Sequence, residues 1–256
     1  MIDWQSYLNF PLVRENYPNH QLADLLIMTV AFNNLHTIEL QNQFLRKYLT
    51  DNYFYVVIDN SSHRASSEAI RIYCQANRIG YVRPFLRLYR TGSKSHGSAL
   101  NWAYHYFVQK SHFRYFGFID HDLYPVKKTS ILSYLERQPI YGLLQERIEK
   151  WYLWAGFCFF DQIYLQDKKV NFFPQQGVVD TGGMNYYSLY KYLDRDLLEF
   201  PQQTYRKITA SPIVQEGNIE FLSDWLHTFN ASGWLAFNNA SEREVEVKKI
   251  LDDLLK

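Results

Sequence analysis

Two apolar runs stand near the start of the chain, LLIMTVAF at residues 25–32 and YFYVVID at residues 53–59. Each is short, shows no polar alternation and is bounded by Asn, Asp or Ser, which predicts strands buried on both faces. Between them Leu40, Phe44, Leu45, Tyr48 and Leu49 recur at helical spacing. Ala65, Ala69, Ile72, Tyr73 and Ala76 form a second helical stripe that stops near Gly80. A weaker strand is expected over 81–89, a helix over 97–108 (GSALNWAYHYFV) and a strand at YFGFIDHD, residues 115–122. Strand–helix alternation of this kind predicts an α/β fold whose mainly parallel sheet is covered on both sides.

The pattern loosens after Ile140. YGLLQE reads as a further strand, while the aromatic run WYLWAGFCFF at 151–160 has no decisive period. Residues 172–234 carry mixed signals, punctuated by Gly177, Gly182-Gly183, Pro201, Pro212 and Gly217. Near the end, Ser241 and Glu244 fit a capping box, ahead of a helical face of Val247, Ile250, Leu251, Leu254 and Leu255. No internal repeat and no low-complexity linker is visible, and 256 residues suffice for one large domain or two small ones.

Polar residues gather where the predicted strands end: Asn33 and Asn34, Asp59 and Asn60, Asp120 and Asp122. Ligands bind open α/β sheets outside the carboxyl ends of the strands, so three clusters on one rim predict a site. Each cluster taken alone is also ordinary turn and cap chemistry. Asp120 and Asp122 pose the sharpest question. If the strand continues through them, their carboxylates project from the same face and repel. A divalent metal, an Arg or Lys, or a solvated turn would relieve that repulsion. His121, between them, is expected to face the other way and to be structural.

Composition narrows the partners. Lys and Arg number 27 against 26 Asp and Glu, a formal charge of +1, which gives no electrostatic case for nucleic acid. The two cysteines, Cys74 and Cys158, form neither a metal spacing nor a disulfide framework. No basic start with an apolar h-region is visible, and no apolar run approaches a membrane span. A cytoplasmic protein is the expectation, soluble or docked peripherally at a membrane surface.

Taken in order, TVAFNN, VVIDNSS, GSALNWA, DHD, WAGFCFF and VVDTGG resemble the GT-A-type glycosyltransferases, closest to the broad family-2 group, over roughly residues 24–190. The resemblance implies one GT-A-like domain: a nucleotide-sugar half at 24–125, an acceptor and catalytic half at 126–240 and a terminal helix at 241–256. It implies a nucleoside-diphosphate sugar donor (UDP- or GDP-linked), a carbohydrate or other hydroxyl acceptor, and a divalent cofactor, Mn²⁺ or Mg²⁺. Hard cations of this kind prefer carboxylate oxygens and stay partly hydrated while bridging phosphates.

The same resemblance distributes roles. Asp59 would accept from the base edge, flanked by Phe32 and Asn33. Asp120 would reach the ribose or the metal through water, Asp122 would ligate the metal, and a late His227 would complete the site. Lys94 and the helix start would lie near the phosphates, with Gly97 allowing close backbone approach and Asn101 at a position where the family often carries Asn. Gly156 would leave room for the donor sugar, with Trp151 and Trp154 stacking on sugar faces. Asp180 would be the base of an inverting transfer, with Asp224 as its rival. Here the chain departs from the family pattern, because Thr181-Gly182-Gly183 follows with no second carboxylate. Two other readings stand beside this one. One is a non-catalytic nucleotide-sugar or carbohydrate-binding protein. The other is a nucleotidyltransferase, against which AFNNLHT speaks by lacking a Gly-rich basic loop.

Overall fold

In a computed structural model, described over residues 9–16, 23–89, 92–175, 177–229 and 237–256, the chain divides into two compact units, each assembled from several chain segments. The first comprises residues 1–33, 51–120 and 131–200; the second comprises residues 34–50, 121–130 and 201–256.

The first unit is an α/β layer built on seven strands. They are β1 (Pro11–Glu15), β2 (Leu25–Ala31), β3 (Tyr53–Asp59), β4 (Gly80–Pro84), β5 (Tyr115–Asp120), β7 (Ile140–Arg147) and β8 (Lys150–Asp161), with β6 belonging to the second unit. Their order across the sheet is β1-β4-β3-β2-β5-β8-β7. The four central strands are parallel, as the two-sided burial of β2 requires. β1, β8 and β7 add antiparallel at the edges. The weak strand predicted at 81–89 is shorter than expected and ends at Pro84, whose ring removes a ladder donor.

Aromatic side chains fill this core. Phe116 stacks on Phe160 at 5.3 Å between centroids, and Phe118 meets Phe172 edge-on at 5.1 Å. Gly117 lies opposite Phe159 in the β5–β8 register, and a Cβ there would sit 2.0 Å from the Phe159 ring. Gly117→Ala therefore forces either the ring or the strand to move. Chemical denaturation should show a loss of at least about 1–3 kcal/mol, the usual cost of overpacking; an unchanged midpoint would mean that the ring has free space.

A helix, α2 (Arg64–Ala76), forms where the stripe predicts one, but it buries Ser67, Ile70 and Cys74 and leaves Ile72 of the predicted face exposed. Helix α3 (Gly92–Tyr106) begins five residues before the expected start. Gly97 thus lies inside a helix. Its missing side chain admits the backbone of Phe172, whose carbonyl oxygen would be 2.7 Å from a Cβ. The close approach anticipated at this glycine is real, and the partner is the protein itself.

The second unit holds α1 (Leu35–Tyr48), the terminal helix α4 (Ala240–Leu255) and a four-stranded antiparallel sheet ordered β6-β11-β10-β9. These strands are β6 (Leu123–Pro125), β9 (Gln203–Lys207), β10 (Asn218–Leu222) and β11 (Trp225–His227). Asn34 caps α1, its side chain accepting from the Thr37 amide. Leu40 and Phe44 of α1 join Tyr124, Val126, Ile219, Leu226 and Leu251 in one core, and the apolar face read along α4 packs there as predicted. The capping box at Ser241 does not form. The helix starts at Ala240 behind Asn239, which places Ser241 in the first turn and past the cap position.

Candidate metal centre

Strand β5 ends at Asp120, and His121-Asp122 form the turn before β6. The two carboxylates therefore do not share a strand face. Asp120 has His96 of α3 beside it at 3.5 Å, with both side chains about a quarter exposed. His121 is buried.

Register fixes what Asp122 meets. β6 pairs antiparallel with β11, matching Leu123 with His227, and the Thr228 amide donates to the Asp122 carbonyl at 3.0 Å. Asp122 thus lies at the open end of β11, where its Oδ1 is 3.6 Å from His227 Nε2. The neighbouring strand adds a residue the sequence reading missed. Glu220 is the register partner of His227, and its Oε2 is 2.8 Å from Nδ1. All three side chains are 9% exposed or less.

Electrostatics follow from that enclosure. Burial pulls the His227 pKa down, but Asp122 and then Glu220 outweigh it and hold the imidazole up to about 10. Burial raises the Glu220 carboxyl, yet His227, Gln203 and Tyr205 leave it below its ordinary value. Without a metal, a cationic ring is clamped between two carboxylates. Phe229 lies over that ring at 4.4 Å between centroids. Buried Arg243 of α4 donates to the carbonyls of Glu216, Asn218 and Thr228, and so fixes the backbone beyond β11.

Within the second unit, the Asp122 carboxylate and an imidazole whose other nitrogen is already engaged are donors that suit a divalent cation. Asp224 stands apart from them. This residue occupies the hairpin turn before Trp225, at the opposite end of β11 from His227 and roughly 10 Å away along the strand.

In the first unit, several residues predicted to touch the nucleotide are engaged by protein. Asp59 is fully buried; Oδ1 accepts from the Ser61 amide at 2.9 Å, while Oδ2 accepts from Tyr81 at 2.6 Å and from Ser67. A base would reach Asp59 only by displacing one of these donors. Asn33, at φ 55°, bonds Ser62 and the His63 amide, which ties the ends of β2 and β3 together. Asn101 is buried and joins α3 to Asn171 and the Phe172 amide. Phe32 is half-buried, and so is Lys94, in the first turn of α3.

A Cβ on Gly156 would fall 2.3 Å from the Trp154 indole, so the space assigned to a sugar is filled by that ring. Trp151 packs on Tyr190 and Phe200 within the core. Asp180 is half-exposed; its Oδ1 accepts from the Thr181 amide at 2.7 Å, and its Oδ2 has no hydrogen-bond partner among the described residues. Gly233 and Trp234, which follow His227 in the chain, lie outside the described residues.

Solved glycosyltransferase structures are similar to this chain. A mannosyltransferase from Pyrobaculum calidifontis, in complex with GDP-Man and Mn²⁺, shares 13% identity over 64% of this chain and 52% of its own, at a TM-score of 0.42. The mannosyltransferase Ktr4p from S. cerevisiae shares 11% over 64% of this chain and 65% of its own, at 0.41. For S. aureus TarS residues 1–349 the figures are 14%, 60%, 51% and 0.40. The chain thus spans about half the length of the Pyrobaculum and TarS chains it matches. No family model and no curated protein matches it.

Proposed function

We propose that the chain is a divalent-cation-dependent glycosyltransferase that takes a sugar from a nucleoside-diphosphate donor. The observation that carries this reading is the buried Asp122–His227–Glu220 array, with Asp120 two residues upstream in the chain. A buried carboxylate facing an oriented imidazole is a costly arrangement unless it serves a charge. Asp122 and His227 would hold the cation directly. When bound, the cation supplies Lewis-acid neutralisation of the departing diphosphate.

The protein's own groups carry the rest. Asp59, locked by Tyr81, Ser67 and the Ser61 amide, would shape the base pocket from within, with Phe32 presented beside it. Lys94 in the first turn of α3 would meet phosphate oxygens, aided by the helix start. Asp180, with Oδ2 without a protein partner among the described residues, is the group proposed to take the proton from the acceptor hydroxyl in an inverting transfer. Among the described residues no helix is long and apolar enough to cross a membrane. A cytoplasmic location and a carbohydrate acceptor complete the proposal.

Thermal shift against UDP, GDP, CDP and ADP, each with and without Mn²⁺, tests it. One nucleotide should stabilise the protein, and more strongly with Mn²⁺; 100 Kd of ligand corresponds to about 2.7 kcal/mol. No shift with any of the four would remove the donor-site reading. A shift without sugar transfer to any acceptor would favour a binding protein.

A further inference from the structure

We propose that Glu220 is a positioning residue, which orients His227 and fixes its tautomer so that Nε2 faces the cation. This rests on the cation reading above. An imidazole offers two nitrogens, and only the one without a proton can ligate a metal. In this protein the choice is made by register: Glu220 and His227 are paired across β10 and β11, which brings Oε2 to 2.8 Å from Nδ1.

A carboxylate only accepts, so Nδ1 keeps its proton and Nε2, turned toward Asp122, carries the lone pair once the ring is neutral. Glu220 is itself held. Its Oε1 accepts from Gln203 Nε2 on β9, so the carboxylate cannot swing away without losing a second bond. Phe229 packs against the ring, tilted at 57° to it. The three strands thus form a relay from Gln203 through Glu220 to His227, ending at the metal-facing nitrogen.

A role confined to folding would weaken every property of the protein together, whereas a positioning role separates them. Free Mn²⁺ is followed by electron paramagnetic resonance in wild type, Glu220→Gln and Glu220→Ala, with no nucleotide present. Binding of whichever nucleotide gave the larger thermal shift, UDP or GDP, is measured separately in metal-free buffer. Loss of an outer-shell partner of a metal-bound histidine costs about 10–100-fold in metal affinity. Glu220→Ala should lie toward the upper end of that range and Glu220→Gln, which retains an acceptor without the charge, toward the lower. Metal-free nucleotide affinity should stay within about twofold of wild type.

Spin-echo modulation from a ¹⁴N ligand should be present on Mn²⁺ in wild type and reduced in Glu220→Ala. If Glu220→Ala fails to fold, the near-isosteric Glu220→Gln carries the test. The inference is overturned if either folded variant binds Mn²⁺ as wild type does, or if metal and nucleotide affinities fall in parallel. Should wild type bind Mn²⁺ and Asp122→Ala not, while the Glu220 variants are normal, only this inference fails. If wild type binds no Mn²⁺, the cation reading fails and this inference with it.

Discussion

His227→Leu is expected to lose roughly 3–5 kcal/mol of unfolding free energy in the metal-free protein, as breaking a buried ion pair from one side generally does. The leucine leaves the Asp122 and Glu220 carboxylates buried, without the cation that each faces at 3.6 and 2.8 Å. Urea denaturation with and without chelator checks this. The pH dependence gives an independent sign. His227 has its pKa raised from 6.5 to about 10 in the folded state, so its contribution is complete below about pH 6.5 and is lost as the pH rises through about 10. Wild type should therefore lose stability across that window while the leucine variant changes much less. A variant as stable as wild type at pH 6 would mean that the buried array stores no such interaction.

Asp122→Ala should have the larger effect on binding. It removes a proposed ligand to the cation, where even an outer-shell loss costs 10–100-fold, so Mn²⁺ affinity should fall at least about 100-fold. The part of nucleotide stabilisation that depends on Mn²⁺ should vanish, and the metal-free part should persist. Paired thermal-shift titrations of the two proteins decide this. An unchanged Mn²⁺ increment in the variant would place the cation elsewhere.

The central strands were legible because their residues are apolar on both faces; β3 matches its predicted ends, and β2 stops one residue short. The β7–β8 hairpin was harder to read for a physical reason. Its two turn residues, Ile148 and Glu149, adopt φ of 48° and 59°, a geometry ordinarily signalled by Asn-Gly or Asp-Gly. Strands β9 to β11 are three to five residues long, and β9 is exposed throughout, so no alternation announces them.

The site divides the same way. Asp120, Asp122 and His227 stand out by residue type, whereas Glu220 acquires its place only from pairing. A signal was nevertheless present: a two-residue Ser223-Asp224 turn inside EFLSDWLH sets residues seven apart opposite one another, Glu220 against His227. Asn101 and Gly156 misled because buried amides and glycines serve packing as readily as ligands, and only their neighbours tell the two apart. The rim pattern was partly turn chemistry as well, with Asn34 capping α1 and Asn33 joining two strand ends.

The cation itself is the most direct test. Free Mn²⁺ should be titrated by paramagnetic resonance into wild type, Asp122→Ala and His227→Leu in the absence of nucleotide. One Mn²⁺ per wild-type chain is expected, with a loss of at least about 100-fold in affinity for both variants. Wild-type protein that binds no Mn²⁺, or variants that bind it unchanged, would contradict the assignment of Asp122 and His227 as a metal centre.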